Sequence, residues 1–105
     1  MIDWQRIAQL RDEIGVEDFE EVIELFLAEV EETLGALQDA PEAELEAMFH
    51  LLKGCALNLG FQGFADACLR AELAARNGDF AKVDRSAVKQ IYDASRHDFL
   101  ADAPA

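Results

Sequence analysis

One histidine of this chain stands on the polar face of a helix in company that invites chemistry. At about 100° per residue, Met48, Leu52, Cys55 and Leu59 fall opposite His50, with Leu45 and Ala56 beside them, so the ring points away from the core that this stripe would build. Its own face carries Glu46 one turn before, Lys53 and Gly54 one turn after, and Leu57 two turns after. A glycine inside a helix costs about 1 kcal/mol relative to Ala. At i+4 from His50, Gly54 removes the side chain that would crowd the outer flank of the imidazole. Lys53 is the first positive charge after the 41 residues from Asp12 to Leu52, and at i+3 it can reach an anion on the ring. Leu57 is apolar where the face should be wet; a single exposed leucine is ordinary, yet it also suits a docking surface.

An exposed imidazole with a cleared approach, a neighbouring cation and an apolar rim describes a nucleophile arranged for a large partner. Free imidazole titrates near ~6.5, so at neutral pH most of it offers a lone pair without help from a general base. A phosphoryl group taken by that nitrogen would bring negative charge that Lys53 can partly offset. The helical phase argues against a hydrogen-bonded core histidine, and Lys53, Gly54 and Leu57 weigh against an uninvolved surface one.

The elements that would position this set read as helices throughout. Only Pro41 and Pro104 occur, and no stretch alternates apolar and polar residues among β-branched types. A short first helix is expected from its N-cap Asp3, carrying Trp4, Ile7, Ala8 and Leu10 to Gly15. A second, from about Glu17 to Gln38, buries Phe19, Val22, Ile23, Phe26, Leu27, Val30, Leu34 and Leu37 and turns Glu20, Glu21, Glu24, Glu31 and Glu32 outward. After Asp39-Ala40-Pro41 the histidine helix runs from about Glu42 to Leu59, closed by Gly60. A fourth spans about Gln62 to Arg76, with Phe64, Cys68, Ala71 and Ala75 inward and Asn77-Gly78 as its stop. The last is expected to begin after Asp79 and carry Phe80, Val83, Ala87, Val88, Ile91 and Ser95 towards Phe99, leaving 101–105 as a frayed tail. Connections this short favour antiparallel neighbours. The expected fold is therefore all-α: an antiparallel up-and-down four-helix bundle with a short extra N-terminal helix as a lid, in a single domain over 1–105.

Composition narrows the classes of function. The 105 residues carry 22 acids against nine Lys and Arg, a net charge of −13, and all of that excess precedes Lys53. Such a field repels phosphate backbones and anionic lipid, which argues against nucleic-acid and membrane partners. Disorder is excluded by 51% hydrophobic content with seven Phe. No apolar run approaches the ~18–20 residues that span a bilayer, and the start lacks the pattern of a secretory signal, so a cytoplasmic location is expected. Cys55 and Cys68 are too few for a disulfide framework and lack zinc-knuckle spacing, which leaves buried, inert thiols.

The stretch Phe49-His50-Leu51-Leu52-Lys53-Gly54-Cys55-Ala56-Leu57-Asn58-Leu59-Gly60 resembles the signature of histidine-containing phosphotransfer (HPt) domains, with Cys55 where Ser or Ala is commoner. Ile2-Asp3-Trp4, the Gly15-to-Leu37 helix and Cys68-Leu69-Arg70-Ala71-Glu72 extend the likeness over nearly the whole chain. The resemblance implies that His50 accepts a phosphoryl group from the aspartate of one receiver domain and gives it to the aspartate of another. It assigns phosphoryl stabilisation to Lys53 and steric clearance to Gly54. Receiver domains of response regulators and a hybrid histidine kinase are the implied partners, and the magnesium of the reaction belongs to the receiver, so no cofactor or metal ligand is expected in this chain. Gln62 and Glu72 could reach the histidine from the next helix, whose rotation the sequence does not fix; Gln62 is taken as the supporting residue, beside Glu46 and Leu57, and Arg76, on the same helix, as either a further supporting residue or a plain surface charge.

An ATP-using kinase is excluded by the lack of any Gly-rich phosphate loop, which makes the expected protein a phosphocarrier without kinase activity of its own. A kinase dimerisation hairpin would place an acid directly after the histidine and a proline soon after, whereas Leu51 follows here and a self-contained monomer is favoured. Ferritin-type metal sites need Glu-x-x-His, yet Ala47 and Ala94 precede His50 and His97 by three. The alternative is a binding-only adaptor that docks a receiver or another protein without being phosphorylated.

Overall fold

The computed structural model describes residues 2–102. Five α-helices follow one another, α1 (Trp4–Ile14), α2 (Val16–Leu37), α3 (Glu42–Leu59), α4 (Gln62–Arg76) and α5 (Arg85–Asp102), with one 3₁₀ turn at Phe80–Lys82. The helix ends follow local chemistry. Asp3 caps α1 by accepting from the Arg6 amide at 3.1 Å, and Pro41 stands at the start of α3 without needing an amide proton. Gly60 ends α3 at φ +71°, where an added Cβ would come within 2.7 Å of the Asp3 carbonyl oxygen. That close approach is used, because the Asp3 amide donates to the Gly60 carbonyl at 2.7 Å. Ile2 and Phe61 form an isolated antiparallel bridge beside it.

Helices α2 to α5 alternate in direction around one core, and α1 closes the end where α3 turns into α4. At that end Trp4 stacks on Phe99 at 5.9 Å, and Phe61 lies 5.6 Å from the same ring. At the opposite end Arg85 of α5 donates to the carbonyls of Leu37 and Ala40 at 2.8 and 2.7 Å, satisfying groups left free where α2 stops. Tyr92 fills the centre between Phe61 and Phe64 while its hydroxyl donates to Glu31 at 2.8 Å, joining α5 to α2. The closest helix pair is α3 with α4, where Ala65, Cys68, Ala71 and Ala75 let the backbones approach Phe49, Leu52 and Ala56.

The all-helical bundle with its short first helix is the fold expected from the periodicity, and the bounds of α3 and α4 coincide with those read from the sequence. The last helix differs. Phe80 and Val83 belong to the 3₁₀ turn and an extended step, and α5 starts only after Asp84, whose side chain accepts from the Ala87 amide at 2.9 Å. At the far end α5 continues through Ala101 and Asp102, so the expected tail is helical there; 103–105 lie outside the described residues. Among the described residues no helix is long and apolar enough to cross a membrane.

Candidate functional site

His50 projects from the middle of α3 with 69% of its side chain exposed, on the face that the helical phase predicts. Its Nδ1 lies 2.9 Å from Oε2 of Glu72, a carboxylate on α4 that is only 2% exposed. The other oxygen, Oε1, lies 2.6 Å from Nζ of Lys53. Burying a carboxylate is costly unless it is paired. Here the Lys53 ammonium holds the Glu72 carboxyl below its ordinary range, and the bond from His50 adds to the effect against the opposing pull of burial. An ionised carboxylate has no proton to give, so the proton in the His50–Glu72 bond belongs on Nδ1. In the neutral ring the lone pair is thereby left on Nε2, the nitrogen not engaged by Glu72.

Two further residues complete the cluster. Nη2 of Arg76, four residues after Glu72 on α4, lies 3.4 Å from Oε2, and its Nε donates to Glu46 at 2.8 Å. Glu46 thus reaches across from α3 to α4 beside the ring. Gly54 is exposed, and nothing lies within 4 Å of where its Cβ would stand, so the fold itself has no need of the missing side chain. Leu57 is 56% exposed, and Leu69 and Leu73 on α4 add two more open leucines on the outward side of Glu72. Both helices that carry the cluster therefore expose leucines as well, apolar surface of a kind suited to a protein partner.

The structure brings His50, Lys53 and Glu46 into one network and leaves Gly54 and Leu57 on the open face beside it. Gln62 is not part of this network: it opens α4, ten residues or about 15 Å of helix before Glu72. Glu72 holds the ring instead, and Arg76 is a member of the cluster rather than an isolated surface charge. One signal in the sequence could have selected between Gln62 and Glu72. In an antiparallel hairpin, residues equally far from the turn lie level with each other, and His50 and Glu72 are equidistant from Phe61. By the same count Gln62 lies level with Gly60.

The other reactive groups are withdrawn. Burial pushes the Cys68 thiol up to about 12 and raises Cys55 as well, so neither supplies a thiolate at neutral pH. His97 is exposed on α5. Among the described residues no three His, Cys, Asp or Glu side chains are gathered to hold a metal ion.

Comparison with known families places the chain that carries this cluster. The Hpt domain family model matches residues 21–98, and the chain belongs to that family. Its relatives include the phosphorelay protein LuxU of Vibrio vulnificus strains YJ016 and CMCP6. Each is 27% identical over 95 residues, which cover 87% of this chain and 83% of the relative. No solved structure matches the chain significantly.

Proposed function

We propose that this chain is a phosphocarrier of a multistep phosphorelay, taking a phosphoryl group onto His50 from the aspartate of one receiver domain and passing it to the aspartate of another. The observation that carries the reading is the state of the ring: Nδ1 is engaged by Glu72 and Nε2 is free towards solvent. In the transfer, the Nε2 lone pair forms the N–P bond as the P–O bond of the aspartyl phosphate breaks, and the receiver carboxylate leaves with the electron pair. No proton need depart, because the imidazolium that forms keeps its Nδ1 proton against the Glu72 carboxylate. The reverse sequence delivers the group to the next receiver. Magnesium and most of the charge neutralisation come from the receiver, while this domain contributes an aligned nucleophile. Gly54 leaves room for the receiver's active-site loops, and Leu57, Leu69 and Leu73 provide the apolar contact.

The test is to mix the protein with a phosphorylated receiver and look for acid-labile, base-stable label. Label lost in His50→Gln and retained in His97→Gln is the expected result. Label that survives His50→Gln overturns the site, and binding without label from several receivers supports the adaptor.

A further inference from the structure

Glu46 and Arg76 do something that holding the ring does not require. They bridge α3 and α4 beside His50, with Glu46 one turn before the histidine and Arg76 one turn after Glu72. Arg76 has no buried partner of its own: its Nη2 approaches the Glu72 oxygen that already accepts from His50, at 3.4 Å against 2.9 Å, and its strongest contact is to Glu46 at 2.8 Å. The two side chains are 55% and 45% exposed. An ion pair so open to water holds weakly. Lys53 is bound differently, with its ammonium against the buried oxygen of Glu72. Of the two cations beside the ring, Arg76 is the one whose partner lets go easily. Its planar fork also matches the oxygens of a phosphoryl group, to which charge-assisted bonds are roughly twice as strong as neutral ones.

We propose that the Glu46–Arg76 pair is a latch on the phosphoryl site: Glu46 holds the guanidinium aside while the ring is bare, and the phosphoryl group on Nε2 draws it off. Glu46 is then a positioning residue that sets how strongly the domain retains phosphate. The proposal rests on His50 carrying a phosphoryl group, and phosphoramidate separates it from the choice of protein partner. That small donor delivers its phosphoryl group to Nε2 as its own P–N bond breaks and ammonia leaves with the electron pair.

The experiment treats the whole chain and its Glu46→Gln, Arg76→Gln and doubly substituted forms with phosphoramidate. It follows the lifetime of phosphohistidine, the equilibrium with a receiver, and the NMR signal of the Arg76 Nε–H. Glu46→Gln is expected to favour the phosphorylated form about 1.5- to 5-fold, the range an exposed pair commands. Arg76→Gln disfavours it, and Glu46→Gln has no effect in the Arg76→Gln background. The Nε–H signal moves on phosphorylation of the native protein and moves less in Glu46→Gln. A Glu46→Gln effect that persists without Arg76 marks simple repulsion by the Glu46 carboxylate and overturns the latch, as does an unmoved Nε–H signal. Labelling by phosphoramidate but by no receiver refutes the relay and leaves the latch standing; labelling by neither refutes both.

Discussion

Replacing Glu72 by Ala takes the acceptor from His50 and the counter-ion from Lys53 in one step, and the two losses differ in size. Removing one member of a fully buried ion pair costs roughly 3–5 kcal/mol. Lys53 is 23% exposed, and His50 and Arg76 are more open, so the orphaned groups can turn to water. The stability loss should therefore resemble that of a charged hydrogen bond, about 1.5–3 kcal/mol. The effect on transfer is narrower, because only the part of the bond that strengthens as the ring becomes imidazolium speeds the reaction. If that part is about half of the bond, ~0.8–1.5 kcal/mol, transfer slows by about 4- to 13-fold. Single-turnover transfer from a phosphorylated receiver measures the rate, thermal melting the stability, and the ring ¹⁵N shifts the tautomer. Glu72→Gln, which keeps an oxygen acceptor but no charge, should fall between Glu72→Ala and the native protein. Transfer by Glu72→Ala at the native rate, with unchanged ring shifts, would refute the assignment of the Nδ1 proton and everything built on it. Acid provides an independent check. The Glu72 carboxyl is lower in the folded chain than its ordinary 4.5, so its contribution is fully present above that value and is lost as pH falls through the folded one. Glu72→Gln should accordingly flatten the loss of stability below about pH 4.5.

Gly54→Ala should stabilise the chain by up to about 1 kcal/mol, since the position is helical and nothing crowds it. Gly54→Leu should still melt cooperatively yet transfer far more slowly; normal transfer by the leucine variant would remove the need for a clear approach. Tyr92 is the single tyrosine, and burial followed by its bond to Glu31 raises its phenol above the ordinary 10. Because the folded chain favours the neutral phenol, stability should fall as pH rises above 10, with phenolate absorbance appearing together with unfolding. Phenolate formation near pH 10 in the folded protein would contradict that burial.

Much of the site was legible because a helix fixes the relative direction of its own side chains. The phase of α3 alone puts His50, Glu46, Lys53, Gly54 and Leu57 on one face, and the structure keeps them there. The phase of one helix against another is set by packing, which periodicity does not encode. Glu72 sits at the edge of the Cys68–Ala71–Ala75 stripe, and only the close approach permitted by those small residues carries its carboxylate under the ring. Gln62 differs in level rather than phase, lying ten residues along α4 from Glu72. The start of α5 misled through a real ambiguity: Asp79 and Asp84 are both plausible caps, and Phe80 and Val83 extend the apolar stripe upstream. The side chain of Asp84 makes the capping bond, whereas that of Asp79 makes none.

The tie between the Asp3 amide and the Gly60 carbonyl, with Trp4 against Phe99, gathers both described chain ends at one pole of a body 42 Å long. His50 lies ten residues up α3 from that pole, about 15 Å away. A visiting domain can therefore cover the flank of the bundle without meeting either end of the described residues. A surface or a fluorophore linked through this pole would leave the side of the bundle free for the exchange partner to come and go.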